Sequence, residues 1–219
     1  MPRLLFSKTD DAVWMSHLDL MRLFQRAFKR AGLPLTHTQG YNPRPSVSIA
    51  MPLSVGVESV CELLDFDLEG ESVPHQQIVE RLNEVLVKGI RVLDCMDEGK
   101  KIKELAYLDC ALTLQYDNGI HDFVIPQIQE LFARPALCVE KKSKNGPTEQ
   151  NIIPMIRKII IASRDASTVV IHARVCCQNP SLNPMQLVAA IERYAPACAP
   201  DHALCRRHEI FDTKENVFR

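Results

Sequence analysis

The chain has 219 residues, 46% of them hydrophobic and 24% charged, with a formal net charge of −1. This balance fits a folded, water-soluble protein, long enough for one large domain or two of about 100 residues each. No apolar run approaches the ~20 residues needed to span a bilayer, and MPRLLFSKTDD lacks a signal-peptide core, so a cytoplasmic location without membrane contact is expected.

The charge is unevenly placed. Residues 1–50 carry seven Lys/Arg against three Asp/Glu, residues 51–99 three against eleven, and residues 100–219 sixteen against thirteen. A basic first segment beside an acidic second one implies a polarised surface, or two segments that neutralise one another across a fold.

Residues 2–8, PRLLFSK, alternate as a short strand with Leu4 and Phe6 on one face. SHLD then starts a helix, with Ser16 as N-cap and Asp19 at the third helical position. Leu20, Met21, Phe24, Ala27, Phe28 and Ala31 recur every three or four residues and form its apolar face, and Gly32 and Pro34 end it. Residues 46–51 and 61–68 read as strands, 74–88 as a helix opened by Ser72 and Pro74, and 90–95 as a fourth strand. The order β-α-β-β-α-β within about 95 residues is the ferredoxin-like split βαβ pattern.

After the link EGKKIKE the order recurs: a strand at 105–116, a helix at 120–133, strands at 136–141, 157–163 and 167–176, a helix from Asn183 to Tyr194, and a strand at 204–211. SKNGPTEQ at 143–150 reads as a loop, followed by one helical turn in NIIPMI capped by Asn151. The expected fold class is therefore α+β, with two ferredoxin-like halves in tandem, residues 1–99 and 100–219.

The eight cysteines lie at 61, 95, 110, 138, 176, 177, 198 and 205 and form no C-x-x-C pair. Cys61, Cys110, Cys138, Cys176 and Cys177 fall in apolar or strand-like stretches, where free cysteine behaves as a small buried hydrophobe. Cys198, His202, Cys205 and His208 are spaced four, three and three apart, looser than the paired ligands of structural zinc sites, so no metal is expected.

Six short pieces in the first 70 residues carry a family resemblance: Ser7-Lys8, Ser16–Asp19, Arg30–Pro34, Gly40–Pro45 (GYNPRP), Pro52-Leu53 and Gly56–Ser59. Together they resemble a bacterial radical-SAM-linked domain-of-unknown-function family, with RRHEIF near the end as a further echo. The resemblance implies a cytoplasmic bacterial protein that accompanies a radical-SAM protein, as a fused domain or a separate chain, and a common theme of ribosomal and RNA-processing genes. The tandem halves also look like CRISPR-repeat-processing RNA-binding proteins, an analogy of fold alone. The chain has no cluster-binding motif, so no cofactor is expected in it and the radical chemistry belongs to the partner.

Arg22, Arg26 and Arg30 stand at i, i+4 and i+8 with Lys29 alongside, a basic stripe opposite the apolar helix face. GYNPRP adds Tyr41 to stack on a base, Asn42, Arg44 for a phosphate, and prolines that stiffen the turn. These seven residues are the expected RNA-binding set, for a structured RNA or a ribosomal component. Each also has a plainer reading, as a solvated helix face and a rigid connection. The 61–68 strand presents Glu62, Asp65 and Asp67 and lacks the aromatic signature of an RNA-recognition motif, which directs RNA away from that face. Two other readings stand: a protein-docking adaptor using the acidic 51–99 segment, and a metal-independent endoribonuclease in which His17 acts with His37 or Tyr41.

Overall fold

Alternation in RLLFSK yields β1 (Arg3–Lys8), with Leu4 and Phe6 fully buried beneath two helices. In the computed structural model, which describes residues 1–97, 99–143 and 146–219, the chain divides into two units. One comprises Met1–Ile102 with Phe218–Arg219, the other Lys103–Val217. Glu98 of the charged link, and Lys144 and Asn145 of the expected 143–150 loop, lie outside the described residues.

The first unit continues through a 3-10 turn (Asp10–Trp14), α1 (His17–Arg30), β2 (Val47–Ile49), β3 (Val57–Phe66), α2 (His75–Val85) and β4 (Ile90–Met96). Its strands lie in the order β4-β1-β3-β2, each pair antiparallel. Ser16 caps α1 as the sequence predicts: its hydroxyl oxygen accepts from the Asp19 backbone N–H at 3.2 Å. The Asp19 carboxylate accepts in turn from the Ser16 hydroxyl at 2.7 Å, which with Arg22 holds its pKa below the usual carboxylate value. The apolar face of α1 lands on the sheet through Phe24 against Phe6, edge-on at 4.8 Å, and Phe28 against Phe66 at 5.0 Å. Such aromatic pairs add about 0.5–1.5 kcal/mol beyond the area they bury.

Glu62 departs from the expected outward set. It shares the core-facing side of β3 with Leu64 and Phe66, opposite Phe6, and is 1% exposed. Asp65 does face away from the helices, but Arg3 grips it at 2.6 and 3.0 Å. Phe218, fully buried, lies under the Arg3 guanidinium at 5.4 Å, and the Arg219 carbonyl accepts from the Lys100 N–H at 2.9 Å. The last two residues thus finish the first unit.

The second unit contains β5 (Leu105–Gln115), α3 (Val124–Phe132), β6 (Cys138–Ser143), β7 (Gly146–Asn151), β8 (Ile156–Ser163), β9 (Thr168–Cys176), α4 (Met185–Tyr194) and β10 (His202–Asp212). Its sheet runs β10-β5-β9-β8, again antiparallel throughout. The stretch expected as a loop contains a strand: β7 pairs with β6 from Cys138↔Asn151 to Ser143↔Gly146. GPTEQN has no apolar alternation, so backbone pairing rather than burial specifies it. α3 begins at Val124, four residues later than expected, because Ile120 instead donates its N–H to the Ala166 carbonyl at 2.9 Å.

Candidate nucleic-acid interface

α1 turns one face to solvent, and the whole expected basic stripe lies on it. Arg22, Arg26, Lys29 and Arg30 are all exposed. At 100° per residue, Gln25 and Lys29 flank the arginine stripe on the side of the following loop. Arg22 meets Asp19 at 3.2 Å in an exposed i, i+3 pair. Among the described residues, Arg26, Lys29, Arg30 and Arg44 make no side-chain ion pair or hydrogen bond. The last residues of α1 also carry the negative end of the helix dipole, and the cations Lys29 and Arg30 complement it there.

Beyond α1, residues 36–46 form a narrow protruding loop. It is closed by a Leu35↔Leu68 bridge at its base and a His37↔Pro45 bridge along its arms. Thr38 N–H donates to the Arg44 carbonyl at 2.8 Å, and Arg44 N–H donates to the Thr38 hydroxyl oxygen at 3.0 Å. Gly40 takes φ +136, a conformation L side chains rarely adopt, and Pro43 and Pro45 fix two further φ angles. Tyr41, at the tip, is 99% exposed, and Asn42 and Arg44 are exposed beside it.

A groove of about 400 Å³ joins these two features. Gln25 and Lys29 of α1, Pro34 and Leu35, His37 and Pro45 of the loop, and Glu69 line it. Lys29 therefore shares a concavity with the loop that carries Tyr41. Glu69 brings one acid to that wall, but it lies 3.8 Å from His37. His37 and Glu69 carried no direct signal for this role; only the nearness of T-H-T-Q to GYNPRP hinted at it.

His17 is not part of this arrangement. It opens α1, whereas Lys29, which shares the groove with His37, lies at the far end of that helix, about 18 Å away at 1.5 Å per residue, and Tyr41 is 99% exposed. The grouping of His17 with His37 or Tyr41 that cleavage requires is therefore not formed. Instead its Nδ1 is buried without a hydrogen-bond partner among the described residues. Nor are Cys198, His202, Cys205 and His208 brought together. Strand alternation turns Cys205 into the core while His202 and His208 are exposed, and the Cys198 thiol donates to Gln127 Oε1 at 3.1 Å. Cys61 and Cys110 are buried as expected, but Cys138, Cys176 and Cys177 are only half-buried.

A family described as "Uncharacterized protein conserved in bacteria (DUF2344)" matches residues 2–184. The chain belongs to the DUF2344 family. The matched range takes in α1, the 36–46 loop and most of the second unit of this DUF2344 member. A comparison with curated proteins finds no match. Among solved structures, "Crystal Structure of a Cbf5-Nop10-Gar1 Complex" is similar with a TM-score of 0.50 and 8% identity, over 95% of this chain and 48% of that one. This chain spans about half the length of that one, and at such identity the likeness concerns the mixed α+β fold alone. "Crystal Structure of an Unknown Protein from Galdieria sulphuraria" aligns over 94% of this chain and 95% of that one, at 10% identity and a TM-score of 0.27, too low to carry an argument. Among the described residues, no helix is long and apolar enough to cross a membrane.

Proposed function

We propose that this DUF2344 member is a non-catalytic module that binds RNA or a ribonucleoprotein and serves a radical-SAM partner. We read each unit as a ferredoxin-like half, supported by the β-α-β-β-α-β order, interrupted in the second unit by the separate β6-β7 pair, and by the 4-1-3-2 order of the sheet strands within each. The radical-SAM partner follows from the sequence resemblance.

One observation carries the RNA reading. A tyrosine 99% exposed stands on a braced loop that shares a groove with Lys29 of α1, and Arg26, Lys29, Arg30 and Arg44 make no side-chain ion pair among the described residues. An exposed ring held in a stiff turn offers a stacking surface at low entropic cost, and uncommitted guanidinium groups attract phosphate. The test is fluorescence anisotropy with labelled total cellular RNA at 50 mM salt. Binding that weakens tenfold or more in Tyr41→Ala combined with Arg44→Ala supports the reading, and undetectable binding at that salt overturns it.

The adaptor reading is favoured by a different observation. Trp14 and Leu18, four residues apart, are both largely exposed, and Trp14 lies beside Gly56, next to the exposed Val55. Co-purification of the radical-SAM protein that survives nuclease and is lost in Trp14→Ser supports docking there. A complex that dissolves on nuclease treatment removes it.

A further inference from the structure

The second sheet has an open face that none of the preceding argument uses. Cross-strand register sets Ile160, His172, Ala111 and Arg206 in one row across β8, β9, β5 and β10. His172 and Arg206 therefore flank Ala111 from two strands apart, about 10 Å between backbones. The methyl group of Ala111 leaves a floor between two long polar side chains. In the next row Lys158 lies opposite Arg174, and Arg174 opposite Asp109. His208 projects where the pairing of β10 with β5 shifts register between Arg207 and Glu209. Lys158, Ile160, His172 and His208 line a depression of about 280 Å³ here, with the Asp109–Arg174 pair at its side.

Donors and acceptors are unequal in this depression. Both Asp109 oxygens are taken by Arg174, at 2.7 and 2.8 Å, and Glu209 Oε1 accepts from the Ile210 N–H at 2.9 Å. Lys158 and His172 make no hydrogen bond or ion pair among the described residues. Lys158 and His172 thus keep N–H donors beside His208 in a hollow the size of a small anionic group. Arg206 and His172 lie close enough to His208 to push its pKa below the ordinary value, after burial, which is the larger cause; Asp109 pulls the other way.

We propose that the open face of the second sheet binds a phosphate group in this depression, held by Lys158, His172 and His208. The lowered pKa of His208, beside the fixed cation Lys158, makes such a site pH-dependent, because a bound anion favours imidazolium. The charged and titratable groups facing His208 are Lys158 on β8, His172 and Arg174 on β9, Asp109 on β5, and Arg206 and Glu209 on β10. This site is independent of the α1 interface, and either can fail alone.

The experiment is an NMR titration of the full chain, read at the imidazole signals of His172 and His208, which report this face and not the first unit. The probes are inorganic phosphate, uridine monophosphate and hexauridylate, at fixed ionic strength. Phosphate is expected to move both signals saturably and to raise the His208 pKa. Hexauridylate, whose phosphodiesters keep their charge, is expected to bind at this face tenfold or more tightly at pH 6 than at pH 8. Lys158→Ala and His172→Gln should each weaken binding at least fivefold, and Lys158→Glu, which reverses the charge at the hollow, should abolish it. Hexauridylate binding much more tightly than the monophosphate identifies an RNA backbone, and equal affinity identifies a free phosphorylated metabolite. Signals that follow chloride as they follow phosphate, or affinity unchanged in all three variants, overturn the proposal.

Discussion

Arg174 and Asp109 meet side by side across β9 and β5, in a forked pair with Nε–Oδ1 at 2.7 Å and Nη2–Oδ2 at 2.8 Å. The same guanidinium lies 3.9 Å over the Phe211 ring and donates to Glu215 at 2.7 Å. One side chain thus ties β5, β9, β10 and the turn after it.

Replacing Arg174 by Ala removes three charge-assisted bonds and a ring contact, and should destabilise the second unit by about 2–3 kcal/mol. Arg174→Lys keeps the charge but not the fork, and should recover less than half of that loss. Urea unfolding followed by a probe in the second unit measures both. A Lys variant as stable as the parent would show that charge alone matters.

Gly89 sits at φ +85 with its Cβ position 2.4 Å from the Thr9 carbonyl oxygen and 2.9 Å from Ala12 Cβ. Gly70 shares the backbone conformation, at φ +86, but faces open space. Gly70→Ala should therefore cost about 1–2 kcal/mol, the left-handed penalty alone. Gly89→Ala adds collision with backbone and should cost about 2 kcal/mol more, visible as a larger fall in Tm. Equal costs would mean that the 3-10 turn can shift to admit a methyl group.

If the α1 face contacts RNA phosphates through Arg26 and Arg30, removing both should flatten the dependence of log K on log salt by roughly 1.4, about 0.7 for each single-strand contact. Anisotropy between 50 and 300 mM salt reads this slope directly. A loss of affinity at unchanged slope would show that the arginines support the fold of the interface rather than touch the polyanion.

The depressed pKa of His208 makes a claim about stability. As pH falls through 6.5, the unfolded chain takes up this proton before the folded one does. The contribution of His208 is therefore present above 6.5 and is lost as pH drops toward the folded value. Between pH 7.5 and 5.5 the urea midpoint should fall more in the parent than in His208→Gln. Parallel falls would mean that His208 titrates alike in both states.

Legibility from sequence followed the physics of each element. α1 could be read because cap, apolar period and stop agree: Ser16 and Phe24, Phe28 and Gly32 each do locally what the fold needs. The solvent face of that helix was legible for the same reason, since Arg22, Arg26 and Arg30 fall where the apolar residues do not. β7 was not, because its residues are specified by a neighbour's backbone rather than by their own pattern. Glu62 was misread because its charge outweighed its parity: it alternates in step with Leu64 and Phe66 and follows them inside. The depression lined by Lys158, His172 and His208 could not be foreseen, since it depends on which positions of four separate strands come into line.

The burial of Phe218 beneath Arg3 has a consequence for biosynthesis. Residues 1–102 leave the ribosome early, yet the aromatic plug that seals them, and the carbonyl that receives the Lys100 N–H, follow only after residues 103–217. The first unit must wait, open at that corner, while the whole second unit is translated. A fragment cut cleanly at residue 102 should accordingly be less resistant to protease than the same fragment supplied with a peptide ending in Val217-Phe218-Arg219.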